Sequence, residues 1–373
     1  MSCKAHVAPL AVALSLLLLS GTLIFGVDGA SATATVSSSD TASHVTVRYA
    51  DPIQLTDISC PTSTICTAVG LDAKDDAAVF RSTDGGSMWV AQTFSAGTAF
   101  PYTVSCPTVA FCLAMGVAGT RPVYPSFIET ADGGSTWTTY PEPNNLGNST
   151  FNQATCATPT NCYIVQWETV FRSTDLGVTW NALKQTGWKG VRLLDCVRAS
   201  DCLVIGTDSQ GHLEFGRIPP NAVSVARIAR MPSGFNPGFM SCSSSTSCAT
   251  TALNGTTMLT TADGGARWSL RHLPVSVTVY SPFSCPDAKV CVVPVASSRH
   301  KGVLFAATTS NAGATWSLSP IVAARATPQI HIGVSGISCP SASTCFVSAP
   351  SQHSESIFVR AGLRARWVRQ VVK

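Results

Sequence analysis

Leu55-Thr56-Asp57-Ile58-Ser59-Cys60-Pro61-Thr62-Ser63-Thr64-Ile65-Cys66-Thr67-Ala68-Val69-Gly70 is the stretch whose reading decides the fold. A short, apolar, β-prone run ends in a cysteine. A Pro-Thr-Ser turn follows, and a second cysteine opens another apolar run. The same pair, two cysteines separated by five residues, recurs as Cys106/Cys112, Cys156/Cys162, Cys196/Cys202, Cys242/Cys248, Cys285/Cys291 and Cys339/Cys345. Successive pairs begin 40 to 54 residues apart, which is the length of a four-stranded propeller blade. The remaining cysteine, Cys3, lies in the N-terminal segment. The recurrence favours one pairing, each cysteine with its partner in the same repeat, and export into an oxidising compartment suits it. Zinc is the competing reading, but structural zinc pairs sit closer together and need four ligands per ion. Closing so small a ring stabilises the chain by about 2 kcal/mol per bridge through loop-closure entropy.

Downstream of Cys66 the first repeat supplies a third β-prone run, Ala77–Arg81. The turn Ser82-Thr83-Asp84-Gly85-Gly86-Ser87-Met88-Trp89 leads into a fourth strand ending near Phe94. Four strands per repeat and seven repeats predict an all-β fold, a seven-bladed β-propeller with one disulfide per blade. The turn is itself repeated, with Asp132 and Trp137, Asp175 and Trp180, Asp263 and Trp268, and Asn311 and Trp316 in the places of Asp84 and Trp89. An Asp side chain accepts hydrogen bonds from nearby backbone N–H groups and holds such a turn. Gly supplies positive φ, and Trp covers the turn with apolar surface and offers its indole N–H. These residues are therefore read as structural. The fourth repeat lacks the pattern and turns from Gly216 to Asn221. The seventh keeps Phe358 and Trp367 but carries Arg360, Gly362 and Arg364 in place of Ser, Asp and Gly.

The pattern [ST]-x-D-x-G-x-x-W resembles the Asp-box, or BNR, repeat of sialidases, sortilin-type receptors, some glucan-degrading enzymes and photosystem II assembly-factor-like propellers. The resemblance covers essentially the whole chain after residue 50 and is closest in style to the secreted assembly-factor-like propellers. It implies a sialidase-like propeller architecture in which these boxes lie away from the active face.

Composition agrees with many short strands joined by polar turns. Hydrophobic residues make up 45% of the 373, and charged residues only 12%, about half the usual share. The net charge of +4 comes with no Lys/Arg run, so no nucleic-acid partner is implied. Lys4, the apolar stretch Val7–Val27 and the small residues Ala30-Ser31-Ala32 predict a signal peptide over 1–32, or an uncleaved anchor. Residues 33–44 read as a Ser/Thr/Ala leader, and 45–373 as the propeller. Val45–Tyr49 alternates like a strand that either joins the last blade or leads into the first, although Arg366–Lys373 already supplies an outer strand for that blade. The expected location is extracytoplasmic, with membrane contact only if the N-terminal segment is retained, and the expected state is a monomer.

Strands of a blade run antiparallel, so the disulfide turns and Asp turns emerge on one side. The second-to-third loops and blade connectors emerge on the other, where a rigid scaffold usually carries its binding residues. Loop residues there are Arg121, Tyr124, Trp167, Glu168, His212, Arg299 and His300, and connector residues are Trp188, Lys189 and Arg325. Tyr124, Trp167 and Trp188 are the preferred contacts because they fall outside the repeat pattern, and aromatic platforms with polar neighbours suit a glycan, peptide or protein. No catalytic residue, metal site or cofactor is predicted. The chain holds no nucleophile elbow, zinc-protease or phosphate-loop motif, and its seven histidines are scattered. Gly216-Arg217-Ile218-Pro219 is similar to a sialidase motif but stands in the wrong repeat. The expected function is non-catalytic binding. The alternative is a sialidase-like glycoside hydrolase with a carboxylate pair on the irregular side.

Overall fold

The computed structural model describes residues 23–27, 30–34 and 54–370, apart from residues 73–75, 93–98, 119–123, 142–145, 147–150, 152, 198, 200, 254, 275–276, 280, 298, 301–302, 324–333 and 351–354. The chain forms two units, Met1–Ala50 and Asp51–Lys373. In the first, Leu23–Val27 pairs antiparallel with Ala30–Ala34. Most of the predicted targeting segment, the leader and the Val45–Tyr49 strand lie outside the described residues. Among the described residues no helix is long and apolar enough to cross a membrane.

The second unit is a seven-bladed β-propeller of four-stranded antiparallel meanders. Blade 1 comprises Gln54–Ser59, Cys66–Leu71, Ala77–Ser82 and Val90–Ala91, paired in that order. Blade 2 runs from Ala99 to Pro141, blade 3 from Gln153 to Ala182, blade 4 from Gly190 to Arg230, blade 5 from Pro237 to His272, blade 6 from Val277 to Ala323 and blade 7 from Gly336 to Gln370. Second and third strands are sandwiched between neighbouring blades. They are therefore apolar runs buried on both faces, such as Cys202–Thr207, rather than alternating ones. Outer strands such as Ala226–Arg230 are largely exposed.

All seven disulfides form inside their own repeats, with Cα atoms 3.9–4.1 Å apart: Cys60/Cys66, Cys106/Cys112, Cys156/Cys162, Cys196/Cys202, Cys242/Cys248, Cys285/Cys291 and Cys339/Cys345. They mark an oxidising, extracytoplasmic environment. The bridges close turns on one side of the molecule, but their sulfurs do not stand on its surface. Cys66, Cys112, Cys162 and Cys345 are each 0% exposed, and Cys202, Cys248 and Cys291 are buried as well. The reason is position: the second cysteine of each pair stands at the start of a second strand, packed between two blades. Neighbouring blades close over the sulfurs. Thr67 Oγ1 of blade 1 lies 3.5 Å from Cys112 Sγ of blade 2, while in blade 7 Cys345 Sγ is covered by the Arg360 guanidinium of its own blade. These cysteines are internal staples.

The Asp turns share one geometry. In blade 1 the Ser82 hydroxyl donates to Asp84 Oδ1 and accepts from Gly86 N–H, and Asp84 Oδ1 also accepts from Met88 N–H, at 2.8–2.9 Å. Blades 2, 3, 5 and 6 repeat this through Asp132, Asp175, Asp263 and Asn311. Two consecutive residues of the turn take positive φ, Gly85 and Gly86 in blade 1. The indole role differs from the expectation. Trp180 Nε1 donates to Gly177 O, whereas Trp89, Trp268 and Trp316 bury Nε1 without a partner and act as apolar covers.

The Asp turns of blades 1, 2, 5 and 6 are tied to the disulfide turns of their own blades. Gly85 N–H donates to Thr64 O, Gly133 to Ala110, Gly264 to Thr246 and Ala312 to Lys289. The two kinds of turn therefore share one side, as predicted.

The same turns wedge against the preceding blade. A Cβ on Gly86 would lie 3.2 Å from Phe346 of blade 7, and one on Gly265 would lie 2.3 Å from Phe215 of blade 4. A second set of ties runs between innermost strands, whose edge N–H groups would otherwise be unpaired. Ser59 Oγ accepts from Cys106 N–H, Ser105 from Cys156, Asp195 from Cys242, Ser241 from Cys285 and Ser284 from Cys339. Ser338 Oγ accepts from Cys60 N–H, which joins blade 7 to blade 1. The ring closes by these contacts, and the outer strand of blade 7 is Val368–Gln370 from the C-terminal end.

Blades 4 and 7 close differently. The third strand of blade 4 continues to Ile218, two residues past the predicted turn start, and Pro219–Ala222 makes the turn with Asn221 at φ 63°. Arg172 of blade 3 donates to Ala222 O and Asn221 Oδ1 of that turn. In blade 7 the buried Arg360 donates to Thr308 Oγ1 of blade 6 at 2.8 Å and lies 5.1 Å over the Trp367 ring.

Candidate functional site

Among the described residues five innermost strands carry a bulge, in blade 3 at the disulfide end, at Cys156/Thr158, and in the other four near the strand's beginning, at Leu55/Asp57, Pro101/Thr103, Val191/Leu193 and Pro237/Phe239. A bulge bends the strand and re-aims one side chain. It also brings backbone close to the facing strand: a Cβ on Gly116 would lie 1.8 Å from Phe100 O, so glycine is required there. The residues released by the bulges include Tyr102, 49% exposed, and Arg192, whose side chain is 49% exposed.

The most distinctive loop lies between the second and third strands of blade 3. Gln166 pairs with Thr169, leaving a two-residue turn of Trp167 and Glu168 at φ 50° and 63°. Hairpins of this kind want Asn-Gly, because both central residues adopt the left-handed conformation. A tryptophan and a glutamate there are held against their own preference. The holding groups are identifiable. Glu168 O accepts from Val191 N–H and from Gln185 Nε2, while Gln185 Oε1 accepts from Val170 N–H. The Glu168 carboxylate faces Arg192 Nε at 3.4 Å. Trp167 itself is 77% exposed. A large aromatic presented on a rigid, locally strained turn is a ready anchor for a partner, because little conformational freedom is left to lose on binding.

A polar cluster adjoins this turn. Lys189 is exposed, and its N–H donates to Thr207 O, the residue before Asp208. Asp208 Oδ2 meets His212 Nδ1 at 3.1 Å and Arg230 Nη2 at 3.3 Å. Arg230 also reaches Glu214, which is fully buried and receives Arg227 Nη2 at 2.8 Å. Burial pushes the Asp208 carboxyl up. Hydrogen bonds from the His212 backbone and ring and from Gln210 N–H outweigh that and hold it at about 2. Asp208 is thus a fixed anion that cannot serve as a proton donor near neutrality. Among the described residues no group of three His, Cys, Asp or Glu side chains could hold a metal ion.

The structure sorts the predicted contact residues. Glu168, beside Trp167 in blade 3, is bonded through its carbonyl to Val191 N–H of blade 4, where Lys189 N–H donates to Thr207 O and His212 pairs with the adjoining Asp208. Trp188 does not join them on the surface. It is 8% exposed and packs its ring over Gly206 and Gly216, the apolar floor between those blades, which corrects the expectation of an exposed platform. Tyr124 starts the third strand of blade 2 and is half-buried. Arg299 and His300 are exposed in blade 6, with the His300 ring 5.6 Å from Phe305. Arg121 and Arg325 lie outside the described residues. Sequence reading passed over Arg192, Gln185, Arg230 and Glu214. Arg192 was findable, because it takes the same place before its cysteine as Tyr102 does. Arg217 of the sialidase-like tetrapeptide sits on the disulfide side, 3.5 Å from Asp201 of its own blade.

No family model matches the chain, and no curated protein matches it by sequence. Among solved structures the chain is similar to YCF48 bound to D1 peptide, with TM-score 0.59, 16% identity, and 84% of this chain and 95% of that one covered. It is similar to YCF48 from Cyanidioschyzon merolae at TM-score 0.57 and 14% identity, covering 84% and 97%. It is also similar to the GH74 xyloglucanase from Xanthomonas campestris at TM-score 0.62 and 13% identity, covering 87% of this chain and 55% of the enzyme. At such identities the likeness establishes the fold alone, a β-propeller.

Proposed function

We propose that this chain is an exported, non-catalytic binding propeller that holds a peptide segment of a partner protein on the side opposite its disulfides. Trp167 is the aromatic anchor, and Arg192, Lys189 and His212 supply polar contacts around it. The observation that carries the reading is the Trp167-Glu168 turn, an exposed indole fixed by Gln185 and Val191 in a conformation that neither residue favours. The fold adds support, since one similar propeller is a peptide complex by its description.

The hydrolase reading rests on Asp208 and Glu214, two carboxylates that share Arg230. Their ionic partners and the complete burial of Glu214 favour a structural role.

Selection from a displayed random-peptide library tests the proposal. Enriched peptides should bind the native protein and lose at least tenfold in affinity, about 1.4 kcal/mol, on Trp167→Ala. Failure to enrich any peptide, or enrichment indifferent to Trp167, would defeat it. Turnover of a fluorogenic glycoside that disappears in Glu214→Gln would establish the hydrolase instead.

A further inference from the structure

A cavity of about 300 Å³ opens between blades 5 and 6, on the side of the disulfides and Asp turns. Its origin is a substitution within the repeat. The residue just before the turn hydroxyl is Arg81 in blade 1 and Arg172 in blade 3. Each reaches into the next blade, Arg81 to Val109 O and Arg172 to Ala222 O, and fills the junction. Blade 5 has Thr260 at this place, too short to cross, and the facing residues Ala249, Ala288 and Ala312 are small. The junction is left open.

Two arginines line the opening. Arg271, from the outer strand of blade 5, lies beneath the Asp turn of blade 6, with its Cγ 3.0 Å from where a Cβ on Gly313 would stand. Its Nε is buried and unpartnered, and among the described residues its guanidinium makes no hydrogen bond or ion pair. Arg267 is exposed at the rim. Asp263 and Asp287 share the lining without an ion pair to either arginine, and bonds from Arg267 N–H and the Thr261 hydroxyl, aided by the Arg267 charge, hold the Asp263 carboxyl below its usual range. Asp263 Oδ1 accepts from the Thr261 hydroxyl and Arg267 N–H, and Asp287 Oδ1 accepts from Lys289 and Val290 N–H groups. Their second oxygens remain available as acceptors. A partly buried guanidinium with an orphaned N–H calls for an oxyanion, and a planar carboxylate matches its fork. The volume is at the lower end for ligand sites, so one small group fits.

We propose that this cavity binds a small carboxylate that also carries hydrogen-bond donors, its carboxylate on Arg271 and Arg267 and its donors on Asp263 and Asp287. A hexuronic acid, with hydroxyl donors, and an acidic amino acid in amide form, with an N–H donor, present this chemistry. The site is separate from the Trp167 surface and does not depend on it.

Titration calorimetry of the full chain tests the site with D-glucuronate and N-acetyl-L-glutamate. D-glucose and N-acetyl-L-glutamine serve as neutral counterparts. At least one acid should bind at least tenfold more tightly than its neutral counterpart, and whichever acid binds identifies the source. Arg271→Gln and Arg267→Gln should each weaken that acid at least tenfold. Arg267 is exposed, so its replacement leaves the melting temperature unchanged and separates binding from folding. Trp167→Ala should leave acid binding intact, so failure here and failure of the peptide reading are told apart. Equal binding of acid and neutral compounds, no acid binding up to about 10 mM, or full affinity in both arginine variants would overturn the proposal.

Discussion

Blades 1, 2, 3, 5 and 6 close their outer hairpins with one hydroxyl–Asp–Gly–Trp turn, whereas blades 4 and 7 do not, yet all seven sheets pack in the same ring. The difference shows what the turn is for. In the five, a glycine with positive φ presses against the preceding blade while a side-chain oxygen satisfies the turn's own N–H groups. In blade 4 the same junction is held by Arg172 reaching from blade 3, and in blade 7 by Arg360 reaching back to Thr308. Outside the open junction of blades 5 and 6, what recurs is a filled junction, and the turn sequence is one of several ways to fill it.

Replacing the wedge should break this equivalence most strongly. Gly265→Ala places a methyl 2.3 Å from the buried Phe215 ring at φ +90°, and it should cost about 4 kcal/mol or more in chemical unfolding. Gly362→Ala, in blade 7, meets nothing nearer than 3.4 Å and should cost about 1–2 kcal/mol from backbone strain alone. Equal losses would mean that the inter-blade contact is not what the turn supplies.

The innermost ring sets blade 4 apart again, because Asp195 stands where most blades have serine. Burial raises its carboxyl to about 7, against the hydrogen bonds from Cys242 and Cys196 N–H that lower it. Burial likewise raises Asp57 to about 6, against bonds from Val104 N–H, Thr103 and Ile58 N–H. In the unfolded chain both titrate near 3.8. Between about pH 4 and 7 the folded state therefore keeps protons that the unfolded chain has lost. Stability is greatest at the acidic end and falls as pH rises, by roughly 4 kcal/mol for the pair between pH 5 and pH 8. Asp195→Ser should remove more than half of that fall. A flat or rising profile over this window in the native protein would contradict the assignment.

Arg360→Ala removes the plug of blade 7 and should cost about 3 kcal/mol, leaving Thr308, Cys345 and the Trp367 face uncovered. Arg360→Met should cost much less. It keeps the volume, and burial, which lowers the arginine's proton affinity, no longer opposes a charge. If the two variants lose equally, the charge rather than the filling holds the junction.

The smallest effect has the opposite sign. Trp167→Gly should raise stability by about 0.5–1 kcal/mol, because glycine takes the left-handed conformation freely, while peptide capture is lost. A drop in stability would show that Trp167 packs rather than presents.

The two sides of the molecule were not equally legible. The disulfide side repeats, so spacing alone located the seven bridges, the Asp turns and the shared edge on which they lie. How deeply the sulfurs sink, Cys112 and Cys162 among them, was not in the spacing, since the neighbouring blade covers them. The irregular side repeats nothing. An exposed tryptophan and a buried one, Trp167 and Trp188, looked alike there, since each stands in a loop outside the pattern. What separates them is the neighbouring blade, which offers Trp188 two glycines to cover and offers Trp167 only backbone bonds to its turn.

By itself, then, the order of residues determined fold class, blade number and disulfide pairing, because each depends on contacts between residues a few positions apart that recur at a fixed period. Only the tertiary structure decided how the ring closes, which loop residues meet and where the junction between blades 5 and 6 stays open. Those outcomes depend on contacts that pass between blades and loops, from Glu168 with Arg192, 24 positions apart, to Cys60 with Ser338, 278 positions away, and on the length of the side chain each blade offers its neighbour.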